Sequence, residues 1–336
     1  MLTQVHTNPS IYKIDVPLPN SPLKVLNAYV FPEADRPLII DTGFNRPECL
    51  TALMEGLSEL SIDLTKTDLF LTHLHGDHTG LAVKLAEKGC TIYMNPTDHA
   101  IFKDMRSGAG FDYLSKVFFR EGFPQAELDL QSSNNHAIIY MAESTFDAHP
   151  VMDGDILNFA GQEFKAITTP GHTPGHTCLY LPKASTLFLG DHVLFDITPN
   201  ITIWPGVQDS LANYLESLKK IVEYPVLLPL PAHRNNMLDL LTRVRQLEEH
   251  HGHRLQETLT VVQTNPGLTA YEIASRMTWS MRGKKWPEFP VGQKWFAVGE
   301  TIAHLEYLTH RQRIERRTIK SLVRYWFNQD PTTGRN

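Results

Sequence analysis

Short runs of β-branched and aromatic residues, each closed by Pro, Asn or Gly, open the chain. IYKIDVPL (11–18), VLNAYVF (25–31) and PLIIDTG (37–43) predict three strands. Between 47 and 60 the apolar positions Leu50, Leu53, Met54 and Leu57 fall at helical spacing and predict a helix. DLFLT (68–72) reads as a strand that runs straight into the polar stretch HLHGDHTG. A helix is expected from Leu81 to about Gly89, then a strand at 91–94. Residues 96–150 lose the strand pattern apart from AIIYM (137–141) and predict an inserted helical segment. Strands return at DILNFA, EFKAITT, TCLYLP and TLFLG, between 155 and 190. A helix is expected at 209–224 and a last strand at 226–233.

The order strand-rich, helix, strand-rich, helix occurs twice, over 11–95 and 151–235. Two sheets packed face to face with helices outside satisfy that order. Residues 236–263 read as one helix across Gly252. Its end RLQETLTVVQ (254–263), then LTAYEIASRMTW and VGETIAHLEYLTHRQ, predict three helices, and RIERRTI with SLVRYWFNQ a two-stranded wing. The expected division is a catalytic domain at 1–250, with the helical insert at about 96–150, and a small winged-helix-like domain at 251–336.

The chemistry concentrates in THLHGDHTG (72–80). His73 and His75 are one residue apart at a strand end, so both side chains can face one side. Asp77 and His78 follow on the loop entering a helix. Imidazole and carboxylate suit zinc, iron or manganese. TTPGHTPGH (168–176) presents His172 in a Pro-Gly turn after a strand, LFLGDHVL (187–194) ends a strand with Asp191, and PAH (231–233) ends the last strand with His233. All these residues can converge on one sheet edge.

In this order the motifs resemble the metallo-β-lactamase superfamily, over residues ~11–235 with the insert interrupting them. The resemblance implies an α/β fold, the four-layered αβ/βα sandwich, with a two-metal site at one edge of the sheets. It assigns His73, His75 and His172 to the first metal, Asp77, His78 and His233 to the second, and Asp191 as the bridge. The IDTG turn (40–43) places Asp41 close behind the metals as the carboxylate that orients an imidazole, and His176 is expected to support its turn. The chain departs from the family pattern at Ala232, where Gly often precedes the last His. The C-terminal helices and wing resemble the lactamase-beta-2-like branch.

Two metals, zinc before iron or manganese, can share a bridging hydroxide and lower its pKa towards ~7. No G-x-S-x-G elbow competes with that nucleophile, and Asp77 is the catalytic candidate that orients the hydroxide or takes its proton. The expected reaction is hydrolysis of an ester-like bond in a small acyl substrate: a thioester, a lactone or a related compound. Phe111, Tyr113, Phe118, Phe119 and Phe123 of the insert either roof that pocket or simply pack the insert. The same site could serve a nuclease or phosphodiesterase, or, with iron, a persulfide dioxygenase. His192 reads as structural, His250, His251 and His253 as a solvated helix face, and His136 and His149 as residues near the insert with no ligand-like geometry.

Composition narrows the partners. Hydrophobic residues are 42% and charged residues 20% of the chain, which excludes disorder and collagen-like repeats. No apolar run approaches ~18 residues, so no membrane span is expected. MLTQVHTNPSIYKIDV lacks a basic patch followed by an apolar stretch, so no secretory signal is expected. Cys49, Cys90 and Cys178 are far apart without a CxxC pair, which fits a reducing cytoplasm. Residues 253–336 carry 13 Lys and Arg against 7 Asp and Glu, leaving 18 against 30 in 1–252. A basic tail could hold nucleic acid through Arg311, Arg313, Arg316 and Arg317, but an acidic body would repel a polyanion, so packing or a homodimer contact is the expected role of the tail.

Overall fold

The computed structural model describes residues 1–33, 35–133, 139–235, 238–281 and 283–329. His136 lies outside the described residues. One sheet runs in chain order: β1 (Leu2–Thr7), β2 (Ser10–Pro17), β3 (Val25–Phe31), β4 (Leu38–Ile40), β5 (Asp68–Leu71), β6 (Thr91–Met94) and β7 (His149–Pro150). Pairing is antiparallel from β1 to β4 and parallel from β4 to β7. Parallel neighbours need a crossover. The helix α1 (Pro47–Glu59) lies in the one between β4 and β5. Its start fits the sequence, with Pro in the first turn, and it buries Leu53 and Leu57. Gly56 faces Ile14 of β2 so closely that a Cβ there would lie 2.7 Å from Ile14 Cδ1.

The second sheet has the order β12-β11-β10-β9-β8, from β8 (Ile156–Phe159), β9 (Gln162–Thr168), β10 (Thr177–Leu181), β11 (Thr186–Gly190) and β12 (Leu228–Pro231). The strands DLFL, TCLYL and TLFLG are buried at every position, which explains their unbroken apolar reading. The two sheets meet through Tyr29, Phe31 and Phe70 on one side and Phe164, Leu179, Phe188 and Leu230 on the other. Phe31 and Phe164 pack edge to face with ring centroids 5.3 Å apart, as do Tyr29 and Phe188. The expected α/β sandwich is therefore the observed one.

Two local expectations change. β1 lies outside the expected strands because LTQVHT is polar and half-exposed; it is an edge strand held by its backbone to β2. Of AIIYM, residues 137–138 lie outside the described residues, and Ile139–Met141 form no strand. The stretch from 96 onward is helical as expected, with α2 (Gly76–Thr79) and α3 (Ala82–Ala86) before it and α4 (Pro96–Ser107), α5 (Ala109–Arg120) and α6 (Gln125–Ser133) within it.

The contacts divide the chain into two compact units. The first contains both sheets and comprises 1–108, 136–199 and 217–244. The second comprises 109–135, 200–216 and 245–336. The chain passes between the units inside α7 (Ser210–Ile221) and α8 (Leu240–Thr264). The second unit continues with α9 (Ala270–Ala274), α10 (Val291–His310) and a hairpin of β13 (Ile314–Ile319) and β14 (Leu322–Phe327). Thr269 and Glu272 close α9 with a reciprocal capping box. Within this unit Phe118 stacks on Trp295 at 3.8 Å, Phe123 meets Tyr271 at 5.2 Å, and the Tyr325 hydroxyl donates to the buried Glu121 at 3.0 Å. Phe118 and Phe123 are thus core residues, whereas Tyr113 and Phe119 are exposed. No helix among the described residues is long and apolar enough to cross a membrane.

His251 corrects the expectation of a solvated face. It is 1% exposed, and its Nδ1 lies 3.2 Å from Nε2 of the equally buried His304. His304 Nδ1 donates to the Glu300 carbonyl at 2.7 Å, which makes its Nε2 the acceptor and His251 the donor. Burial pushes His304 down to about 4, and burial, aided by His304, pushes His251 lower still. Both imidazoles are neutral in the folded chain but take up protons below about 6.5 when unfolded. Their stabilising contribution is therefore complete above pH 6.5 and lost as the pH falls towards 4, by about 2 kcal/mol for His304 between pH 7 and pH 5. Urea melts at those two pH values should show a smaller pH loss for the double variant His251→Gln, His304→Gln than for the native chain; equal losses would contradict this assignment.

Candidate metal centre

Four strand ends and one turn deliver the sequence-predicted residues to a single edge of the first unit. Asp41 follows β4, His73 to His78 follow β5, Asp191 follows β11 and His233 follows β12, while His172 lies in the turn between β9 and β10. All are buried except His75, which is partly exposed.

Three ring nitrogens converge first. His73 Nε2 and His172 Nε2 each lie 3.0 Å from His75 Nδ1. Tetrahedral zinc at ~2.1 Å from nitrogen spaces its ligands about 3.4 Å apart, so this cluster already has nearly the spacing of a ligated set. One cation can be ligated by all three nitrogens at once. The second group is Asp77, His78 and His233, whose ligand atoms lie within 4.8 Å of one another. His233 Nε2 is 3.2 Å and His78 Nε2 3.8 Å from Asp77 Oδ2. Asp191 lies between the groups: its Oδ1 is 3.4 Å from His233 Nε2 and 3.6 Å from His78 Nε2, and its Oδ2 is 3.6 Å from His172 Nε2. His78 Nε2, His233 Nε2 and Asp191 Oδ1 are buried without a hydrogen-bond partner among the described residues. Burying each such atom unsatisfied costs about 1–3 kcal/mol. A divalent cation between them removes that cost, so the donors present fit divalent metal.

The surrounding hydrogen bonds fix ring orientation. Asp41 Oδ2 accepts from His78 Nδ1 at 2.8 Å, leaving Nε2 facing the cluster. The same carboxylate accepts from Thr72 N at 2.9 Å, and Asp41 adopts a left-handed φ of 62° to reach both. His233 Nδ1 donates to the Val25 carbonyl at 2.8 Å. His176 Nε2 accepts from the backbone N–H of Asp191 at 3.1 Å, so its other nitrogen donates to Thr169 Oγ1 at 2.8 Å. Sequence reasoning singles out Asp41 and His176. It misses Thr72, and it misses Asp98, a buried carboxylate on the first turn of α4 that accepts from Leu74 N at 3.0 Å. Nothing in the sequence sets Asp98 apart from an ordinary acidic residue near a helix start.

The charges act on one another strongly. Burial alone lowers the His78 imidazole, but Asp41, Asp77 and Asp191 together push it up to about 10. Burial holds His75 down at about 4 and His73 well below its usual range. Burial raises Asp191, the histidines beside it notwithstanding. Ala232, the departure from the Gly pattern, is 2% exposed and donates its N–H to the Gly190 carbonyl at 3.0 Å, and the next residue but one, Arg234, takes φ 62°.

The sequence matches the family model of the metallo-beta-lactamase superfamily over residues 23–233. The chain belongs to this superfamily. Residues 255–328 match a metallo-beta-lactamase-like C-terminal domain. The superfamily member is a hydrolase, and its His/Asp groups could bind metal. It is 25% identical over 320 residues to the lactamase-like protein nscB of Aspergillus fumigatus, covering 82% of this chain and 80% of that one. It is 26% identical over 221 residues to the atrochrysone carboxyl ACP thioesterase of Emericella nidulans, covering 66% of this chain and 55% of that one. Among solved structures, a metallo-beta-lactamase family protein from Thermus thermophilus superposes with a TM-score of 0.80 at 26% identity, covering 94% of this chain and 98% of that one. A beta-lactamase domain protein from Burkholderia ambifaria superposes with a TM-score of 0.83 at 25% identity, over 97% of this chain and 94% of its own.

Gly190 sits under the site with φ 51°, and a Cβ there would lie 2.5 Å from His176 Nε2. Gly190→Ala should therefore lower stability by about 1–3 kcal/mol in a denaturant melt. An unchanged midpoint would show that His176 yields freely and does not brace Asp191.

Proposed function

We propose that the protein is a binuclear metallo-hydrolase acting on a thioester of a small acyl substrate. The observation that carries the two-metal reading is Asp191, with one carboxylate oxygen facing His78 and His233 and the other facing His172. His73, His75 and His172 would hold one ion, Asp77, His78 and His233 the other, and Asp191 both. Zinc suits this nitrogen-rich set best, and iron or manganese suits it too. When bound, the ions supply Lewis-acid polarisation of the acyl carbonyl and an activated water.

The chain's own residues do the rest. Asp41 and His176 keep His78 and Asp191 oriented, so little reorganisation is required during the reaction. Asp77 would orient the attacking water towards the acyl carbon or take its proton, and that proton would pass to the leaving sulfur as the C–S bond breaks. The thioester choice is supported by the likeness to an ACP thioesterase. A nucleic-acid role for the tail is disfavoured. Arg311 pairs with Asp209 at 2.8 Å and lies over the Tyr307 ring, and Arg317 pairs with Glu315 at 2.6 Å, so two of the four arginines already face a carboxylate. We assign the C-terminal winged-helix-like segment at 251–336 to packing or self-association, and the protein to the cytoplasm.

A panel of acyl-pantetheine thioesters, lactones and phosphodiesters tests the reading. Thioesters should be turned over fastest, and both chelation and His172→Ala should reduce the rate at least ~100-fold, more than the loss of an outer hydrogen bond produces. Phosphodiester turnover that exceeds thioester turnover, or a His172→Ala variant as fast as the native chain, would refute it.

A further inference from the structure

Asp98 has no place in the ligand set, yet it is 0% exposed beside it. Its Oδ2 accepts from the Leu74 N–H at 3.0 Å and from the Thr173 hydroxyl at 2.6 Å, and its Oδ1 accepts from the Gly175 N–H at 2.5 Å. Leu74 stands between His73 and His75, and Thr173 follows His172. One carboxylate on α4 therefore grips both loops that supply the three-histidine cluster. It makes no hydrogen bond to the Asp77–His78 turn or to the loop after β12 among the described residues; those are held by Asp41 and by the Val25 carbonyl.

The approach is close and specific. A Cβ on Gly175 would lie 2.6 Å from Asn95 Oδ1, 2.6 Å from the Asp98 backbone nitrogen and 2.9 Å from Asp98 Oδ1, so only glycine lets the turn reach the carboxylate. Asn95 fixes the start of α4 by accepting from Thr97 N at 2.9 Å. Asp98 has no Lys, Arg or His ion-pair partner among the described residues, and an uncompensated buried carboxylate is a costly way to join two loops. What it provides over a neutral side chain is acceptor capacity for three donors at once, in bonds strengthened by its charge.

We propose that Asp98 is a positioning residue that locks the His73–His75 loop to the His172 loop and thereby sets the affinity of the three-histidine metal position, leaving the Asp77–His78–His233 position to separate supports. The proposal rests on the two-metal reading above. In an Asp98→Asn variant the amide N–H₂ must face at least one of the Leu74 and Gly175 N–H groups, so one tie is lost and becomes a repulsion. Thr173→Val removes one hydroxyl bond and leaves the carboxylate in place.

The test is titration of metal-free full-length protein with Co²⁺, read by visible absorption and by competition with a chelator, on the native chain, Asp98→Asn and Thr173→Val. The native chain should take two ions. Asp98→Asn should weaken one of them by about 10–100-fold and leave the other unchanged. Thr173→Val should shift the same ion in the same direction by less, with a smaller fall in metal-free unfolding temperature than Asp98→Asn shows. Two ions bound with native affinity by either folded variant would overturn the role of Asp98 while leaving the two-metal reading intact. Equal weakening of both ions, in step with a fall in metal-free unfolding temperature, would reduce Asp98 to a general structural residue and also overturn it. Fewer than two ions on the native chain would sink the two-metal reading and the proposal with it.

Discussion

Buried nitrogen and oxygen atoms that face one another without hydrogen bonds are the constraint on which the rest of this structure depends. His78 Nε2, His233 Nε2 and Asp191 Oδ1 sit in the interior with no hydrogen-bond partner among the described residues. A fold does not hold such atoms together for stability, because each costs free energy to desolvate. A cation among them would remove that cost. The core between Phe31, Phe164 and Phe188 then has a second task besides driving folding: it makes rigid the strand ends from which the donors project. Parallel pairing contributes directly, since β4 beside β5, and β11 beside β12, bring successive strand ends out on one edge.

The donors are held in graded fashion. Asp41, in a strained left-handed conformation, orients His78; His176 orients Asp191; Asp98 spans the two loops of the three-histidine cluster. Each support acts on a different part of the centre. The second unit has its own polar interior, with the His251–His304 pair and the Glu121–Tyr325 pair buried among stacked aromatics. Burial raises Glu121 to about 7, opposite in direction to the histidines.

The site is legible in the sequence to the extent that its residues announce themselves. Four candidate ligands in six positions after an apolar strand cannot be mistaken for a loop of ordinary polarity, and strands buried on both faces appear as unbroken runs such as TLFLG. The sandwich follows from those runs. What stays hidden depends on contacts distant in sequence. Asp98 resembles any acidic residue near a helix start until Leu74, Thr173 and Gly175 are placed against it. His251 sits among polar neighbours on a helix, and only the presence of His304 and Tyr214 beside it makes it interior. β1 escapes notice because an edge strand can be polar on both faces. The choice between roofing and packing for Phe118 depends on Trp295, far away along the chain.

The central claim is that two cations occupy two adjoining donor sets bridged by Asp191. A crystal of the zinc-loaded protein, measured on both sides of the zinc absorption edge, tests it most directly. The account predicts two anomalous peaks, one among His73, His75 and His172 and one among Asp77, His78 and His233, with Asp191 between them. A single peak, or peaks away from these side chains, would contradict it.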